Sequence, residues 1–458
     1  MAVFQNNLLA GAGAQSSDST YAIDQSIRFN SGDSTYMQRT HGAGGNVDLF
    51  TISFWFKRST LGTEQFMFGS GANTSNTSDL MFKTDNTLQF YSYIGAYQTQ
   101  LITTQVFRDV SAWYHVVKNY DSGNAISTER ARMYINGERV TDFGTETYPS
   151  QNQDGIVGSN TNIGFGRYIS YGSSYFNGYL AEMHYVNGYG YGPEYFGETN
   201  SSGIWIPKEY SDNYGTGGFF VDGRDASDLG DDESGNGNDL TTSGLASHDQ
   251  MSDSPTTNWC VMNSLLNNGC TYTNGNLEVA PPNLQSTHRL VLPTMGILPS
   301  DTNKYYWEIT YLASDNSSSV NMLGIGGVDN PNNPANATLN GGGDGYGLGY
   351  NTSTSNIYGG GNWTANGSPT WSGGFTAGAV YGVAYDGSTK RLYFYENNSA
   401  LNSGNHFATY TGSAPLGPGA SLYYSPSSSK LIFNMGANGF TYTPPTGYVA
   451  VNTTNLGS

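Results

Sequence analysis

Arg132-Met133-Tyr134-Ile135-Asn136-Gly137-Glu138-Arg139-Val140-Thr141 decides the fold of the first half of the chain. Apolar and polar residues alternate on both sides of Asn136-Gly137. A type I′ turn needs positive φ at both central residues, which Asn and Gly adopt cheaply, so the stretch predicts a β-hairpin. Working outward, Thr51-Ile52-Ser53-Phe54-Trp55-Phe56-Lys57 puts Ile52, Phe54 and Phe56 on one face of a strand. Trp113-Tyr114-His115-Val116-Val117 is aromatic and β-branched, which suits a pleated surface and not a helix.

A second set of strands lies toward the C-terminus. Lys304-Tyr305-Tyr306-Trp307-Glu308-Ile309-Thr310-Tyr311 alternates. Val380-Tyr381-Gly382-Val383-Ala384-Tyr385 reaches a turn at Asp386-Gly387, and Arg391-Leu392-Tyr393-Phe394-Tyr395 runs into Glu396-Asn397-Asn398-Ser399. Leu431-Ile432-Phe433-Asn434 follows. Short strands with regular turn signals predict antiparallel sandwiches. Composition agrees. The 458 residues are only 12% charged, about half the usual share. Aromatics make up 14% and glycines number 61. Disorder needs the reverse balance. Collagen needs Gly at every third position, and a helical bundle needs long Gly-free runs of helix formers. The expectation is all-β, with two antiparallel β-sandwich domains.

Net charge is −18, with 18 Lys and Arg in all. No dense basic face can form, so nucleic acid and anionic membrane surfaces are excluded as expected partners. No apolar run reaches the roughly 18 residues that span a bilayer, so membrane insertion is not expected. The segment Met1 to Gln15 lacks the basic start and apolar middle of a signal peptide, and export by that route is not expected. Cys260 and Cys270 are too few for a disulfide framework; the reading favours ordinary thiols of a protein made in a reducing cytoplasm, with a pair across a short loop as the alternative.

Composition divides the chain into an N-terminal arm over 1–20, a first sandwich over 21–221, an Asp/Gly/Asn-rich connector over 222–270 and a second sandwich over 271–458. Part of the connector is expected to wrap on the first sandwich. A Gly/Asn-rich stretch over 329–349 reads as a long loop.

Residues 50 to about 200 resemble a laminin-G-like, concanavalin A-like jelly roll. The carriers are the Phe50–Arg58 strand, Trp113-Tyr114-His115, the Tyr134–Val140 hairpin and Gly178-Tyr179-Leu180-Ala181-Glu182, in that order. Residues 300 to about 448 resemble a SPRY domain. The carriers here are Tyr306-Trp307-Glu308-Ile309, Gly345-Tyr346-Gly347-Leu348-Gly349-Tyr350, Tyr381–Asp386, Leu392–Asn397 and Phe433–Phe440, with Asn397-Asn398-Ser399 a mild departure from the usual turn. The pairing is similar to virion proteins of tailed bacteriophages, often tail-fibre-like or structural. That resemblance implies a place in the virion and contact with other virion proteins. It says little of the ligand, because one fold hosts many functions.

Glycosidases on such jelly rolls need two carboxylates roughly 5–9 Å apart. No acids stand at i, i+2 and i+4 on one strand; Glu182 and Glu308 stand alone and read as structural residues near a sheet edge. The six histidines lack ligand spacing, and no Gly-x-Ser-x-Gly elbow occurs. No catalytic residue is therefore expected. Asp228, Asp231, Asp232, Asn236 and Asp239 offer the oxygen ligands that calcium wants, against the alternative of a connector built from Asx-turns. Tyr168, Tyr171, Tyr175, Asn187, Tyr189, Tyr191 and Tyr346 are the candidate binding residues. Tyr offers a flat apolar face and one hydroxyl, which suits sugar rings, protein contacts and packing of the sandwich rim alike.

The function expected is that of a fibre, spike or surface decoration that recognises a host-surface ligand, a glycan first, without catalysis. Single-site binding would be weak and oligomerisation would raise it, with a trimer expected from the threefold symmetry common to fibres. A scaffold contacting only other virion proteins is the alternative, and a polysaccharide depolymerase the second.

Overall fold

The computed structural model describes residues 21–42, 45–266, 268–282, 288–312, 321–329, 339, 343–351, 354–372, 374–423 and 430–457. The arm over 1–20 and most of the 329–349 loop lie outside them. The chain divides between Thr257 and Asn258 into two compact units. Regular structure among the described residues is strand, with only short 3-10 turns. No described helix is long and apolar enough to cross a membrane.

The first unit is a sandwich of two eight-stranded sheets. The back sheet runs Glu138–Arg139, Ala131–Ile135, Trp113–Asp121, Leu49–Arg58, Gly178–Asn187, Ser26–Phe29, Gln250–Met251, with Phe219–Val221 also paired to Gly178–Asn187. The front sheet runs Phe143–Thr147, Tyr97–Val106, Thr87–Ile94, Asn76–Phe82, Gln65–Asn73, Asn162–Phe165, Tyr36–Thr40, Thr241–Ser243. Ile52, Phe54 and Phe56 share the inner face, as their spacing predicts, and meet Phe68, Leu80, Phe82 and Phe90 from the front sheet. Each such burial is worth about 1.5–3 kcal/mol. The predicted hairpin closes at Asn136 (φ 49°) and Gly137 (φ 82°), with Glu138 opposite Ile135. Gly137 has a second reason to be glycine: a Cβ there would lie 2.4 Å from the Trp205 ring.

The outer face of the back sheet is covered as well. Trp55, Trp113 and Trp205 cluster there, and Lys57 Nζ meets Asp253 at 2.8 Å with both side chains buried. His115 stacks on Trp55 at 4.7 Å, takes the Trp205 indole N–H on Nδ1 at 3.1 Å and reaches Ser53 Oγ with Nε2 at 2.8 Å. Burial lowers it to about 3, so it is a neutral sheet histidine.

Within the 222–270 stretch, residues 222–257 complete the first sandwich: Thr241–Ser243 extends the front sheet, Gln250–Met251 extends the back sheet, and Leu229 and Leu240 enter the core. The polar residues between them serve the backbone rather than solvent. Residues 258–270 belong to the second unit.

The second unit pairs a ten-stranded with a five-stranded sheet. In the first, Lys430–Asn434, Lys304–Leu312, Val380–Asp386, Arg391–Glu396, Ala408–Tyr410 and Trp363–Ala365 lie in that order; in the second, Arg289–Val291, Leu416–Leu422, Asn321–Gly327, Tyr346–Asn351 and Thr354–Gly359 do. Trp307, Tyr305, Tyr381 and Tyr385 are fully buried. The Asn397-Asn398 turn has φ 45° and 66°, so two asparagines do the work of Asn-Gly between Glu396 and Ser399. No disulfide joins Cys260 and Cys270, and burial pushes the Cys270 thiol up to about 12.

Candidate functional site

The front sheet of the first unit presents a second aromatic surface, on the face away from the core. A β-bulge between Phe66 and Phe68 turns Phe66 outward, where it clusters with Met81, Tyr91, Tyr93 and Tyr168. The loop Gly166–Phe176 lies across this face. Its Arg167 guanidinium sits 3.5 Å from the Tyr36 ring and donates to Gln38 Oε1 at 3.1 Å. Tyr168 stacks on Phe66 at 4.4 Å and 12°. Tyr171 and Gly172 both donate their N–H to Tyr168 O, a tight turn that throws Tyr171 outward, 69% exposed. Tyr175 packs toward Tyr36 at 6.4 Å. Beyond the loop, Tyr97 is 48% exposed and edges against Tyr91 and Tyr93 at 5.8 and 5.1 Å.

A carboxyl lies beneath the loop. Asp79 is fully buried; its Oδ2 accepts from Thr77 Oγ1 at 2.6 Å, while Oδ1 has no hydrogen-bond partner. Ser170 of the loop joins the same Thr77 hydroxyl at 2.7 Å. Gly69 makes the room: a Cβ there would stand 2.5 Å from Asp79 Oδ1. Burial pushes Asp79 up to about 7, and the Thr77 and Tyr91 hydroxyls beside it offset only part of that.

The other candidates are placed elsewhere. Tyr189 and Tyr191 stack at 5.4 Å and 3° and continue through Tyr195, Phe196, Tyr210 and Tyr214 over Val117 and Val186. They pack the outer face of the back sheet. Asn187 is buried; its Nδ2 donates to Asn46 O and Tyr185 Oη, and its Oδ1 accepts from Asn46 N, so it pins a loop instead of facing solvent. Tyr346, in the second unit, is 3% exposed and forms the floor of a cleft of about 650 Å³.

The acidic stretch is an Asx-turn assembly. Asp232 Oδ1 accepts from the backbone N–H of Phe220 and Ser234, and its Oδ2 from Asn238. Asp239 accepts from Asp232 N and Asp228 from Gly230 N. Asn236 donates to Gly215 O and Gly218 O. Asp231 donates its N–H to Asp228 O, and the Asp222 charge, then burial, then the Asp231 charge raise the neighbouring Glu233. Among the described residues no three His, Cys, Asp or Glu side chains gather as a metal site needs.

Both lone glutamates are structural acceptors, but in mid-sheet and not at an edge. Glu308 takes the Thr441 and Tyr442 N–H groups and Asn434 Nδ2. Glu182, at φ 50° where the pairing register shifts, takes Tyr21 Oη at 2.9 Å and lies 3.3 Å from His184 Nε2.

Residues 30–188 match the family model of the Concanavalin A-like lectin/glucanases superfamily, Laminin_G_3, and residues 304–438 match the SPRY domain. The chain carries a laminin-G-like domain and a SPRY domain. The first fold carries lectins and glucanases alike. No curated protein matches the chain. Among solved structures it is similar to a heptameric SAP-like pentraxin from Limulus polyphemus, at 14% identity and TM-score 0.28 over 37% of this chain and 78% of that one. It is similar to the SPRY domain of human HERC1, at 16% and 0.26 over 36% and 91%. It is also similar to domains LG4-5 of the mouse laminin alpha1 chain, at 8% and 0.31 over 94% and 97%.

Sequence reading missed Tyr91, Tyr93, Tyr97 and Asp79 of the laminin-G-like domain. Tyr91-Ser92-Tyr93 carries a period-two signal, but which face it marks depends on the bulge at Phe66 and on a loop about 80 residues further on.

Proposed function

We propose that the chain is a virion protein of a tailed bacteriophage, a fibre, spike or surface decoration that holds a host-surface glycan without breaking covalent bonds. The observation that carries the glycan reading is the tyrosine loop laid over the front sheet, with Tyr171 and Tyr97 exposed beside half-buried Tyr93 and Tyr168. Phenolic rings stack on the C–H faces of a pyranose while their hydroxyls and the nearby amides bond its rim. The loop is fixed by Tyr168 on Phe66 and Arg167 on Tyr36, so little order is lost on binding. The place in the virion rests on the pairing of the two domains and carries the expectation of a homo-oligomer, a trimer first, bound to other virion proteins.

Glycan arrays with the full chain test the ligand. Binding that falls at least tenfold in Tyr171→Ala supports the reading, and binding to nothing sinks it. Antibody labelling of intact particles tests the location.

A further inference from the structure

We propose that the cleft of the SPRY domain is a second binding site, one that takes an uncharged saccharide. It is bounded by Tyr346, Ile357, Trp363, Pro369, Thr370 and Trp371. Its volume of about 650 Å³ falls within the range of small-ligand pockets, about 300–1,000 Å³.

The lining selects the class of ligand. In a chain of net charge −18, no Asp, Glu, Lys, Arg or His among the described residues lines this cleft. A phosphorylated, sialylated or charged peptide ligand would be desolvated there with no counter-charge. Aromatic and aliphatic walls alternate with the exposed hydroxyl residues Thr370 and Ser372 at the rim, a surface amphipathic at the scale of one sugar ring. The walls are also fixed before any ligand arrives. Trp363 Nε1 donates to Asp344 O at 3.1 Å, and its ring packs against Tyr346 at 5.4 Å and Tyr410 at 4.9 Å. Asp344 in turn takes Asn362 Nδ2 and Tyr410 Oη, each at 2.7 Å. Trp371 is the exception. Its ring is 8% exposed, and its buried Nε1 donor has no acceptor.

This site is independent of the tyrosine face. With both occupied, one chain would hold two sugar units, and avidity would follow from their linkage.

The test uses the full chain on a neutral-glycan array, followed by saturation-transfer NMR with maltotriose, cellotriose and mannotriose; 3′-sialyllactose and a proline-rich peptide serve as contrasts. The expected result is a neutral trisaccharide whose affinity drops at least tenfold in Trp371→Ala and is unchanged in Tyr171→Ala. Because Trp371 also packs on Phe375, Ser372→Arg, at an exposed rim position, serves as a second variant and should give the same loss. Neutral-sugar binding untouched by both cleft variants overturns the proposal. So does cleft binding confined to the peptide or the sialylated sugar, or no neutral binder at all. Binding lost only in Tyr171→Ala would overturn the cleft and leave the proposed function standing.

Discussion

Two tyrosine-bearing stretches of the laminin-G-like domain have opposite fates. Tyr189 to Tyr214 packs on the back sheet, ring against ring, over Val117 and Val186. Tyr168 to Tyr175 crosses the front sheet, holds on by Tyr168, Ser170 and Arg167, and leaves Tyr171 in solvent. Tyr content marks neither fate. What differs is the rest of the floor. The back-sheet cluster has valines beneath it. The front loop has Phe66 and Met81 beneath Tyr168, but Thr77 with Asp79 behind it beneath Ser170.

That floor gives the largest expected effect. Burial holds Asp79 at about 7, against roughly 3.9 in an unfolded chain. The folded state therefore binds this proton more tightly than the unfolded state does. The stability this provides is fully present below about pH 4, is lost as pH rises through about 7, and is constant above. At about 1.4 kcal/mol per pH unit of the gap, the loss approaches about 4 kcal/mol. Hydrogen exchange in the strand Asn76–Phe82, compared at pH 5 and pH 8, should show weakened protection at the higher pH, and Asp79→Asn should show a much smaller change. An equal change in both would place the pH sensitivity elsewhere.

Next comes the packed cluster. Tyr210 is 8% exposed and lies 4.9 Å from Phe196 and 4.7 Å from Tyr214. Tyr210→Ala should cost about 3 kcal/mol in denaturant unfolding, by lost burial and a cavity. A cost below about 1 kcal/mol would erase the distinction between the two stretches.

How legible was all this? The strands were read from local signals, and local signals sufficed: the Asn136-Gly137 turn, the Ile52-Phe54-Phe56 face and the Lys304–Tyr311 strand depend on neighbours within a few residues. Which polar and aromatic side chains stay in solvent was not legible. Asp232 looks like a solvent residue until its three backbone partners come from Phe220, Ser234 and Asn238. Asn187 looks like a rim residue until Asn46, 141 positions away, takes both ends of its amide. Tyr168 and Tyr171 were visible as tyrosines, but their sheet-side partners Phe66 and Tyr91 are a product of topology.

A smaller effect tests the fit of loop to sheet. Gly69→Ala would place a Cβ 2.5 Å from Asp79 Oδ1 and 3.3 Å from Ile169 Cγ1. Either the carboxyl or the loop must move, at a cost of about 1–3 kcal/mol. If the loop moves, proteolysis at Tyr171 should accelerate in this variant. If the carboxyl moves, the loop stays protected and only the pH dependence shifts.

The smallest expected change in stability separates binding from folding. Among the described residues the ring beside Tyr171 is that of Tyr168, at 6.1 Å between centres, and Tyr171 is 69% exposed. Tyr171→Ala should shift unfolding by less than about 0.5 kcal/mol. On a glycan array the same variant should lose at least tenfold in affinity, about 1.4 kcal/mol. The two measurements together carry the inference. A residue that matters to ligand and not to fold belongs to a surface kept for something outside the molecule, whereas a loss in unfolding free energy near that of Tyr210→Ala would make the front loop one more packed cluster.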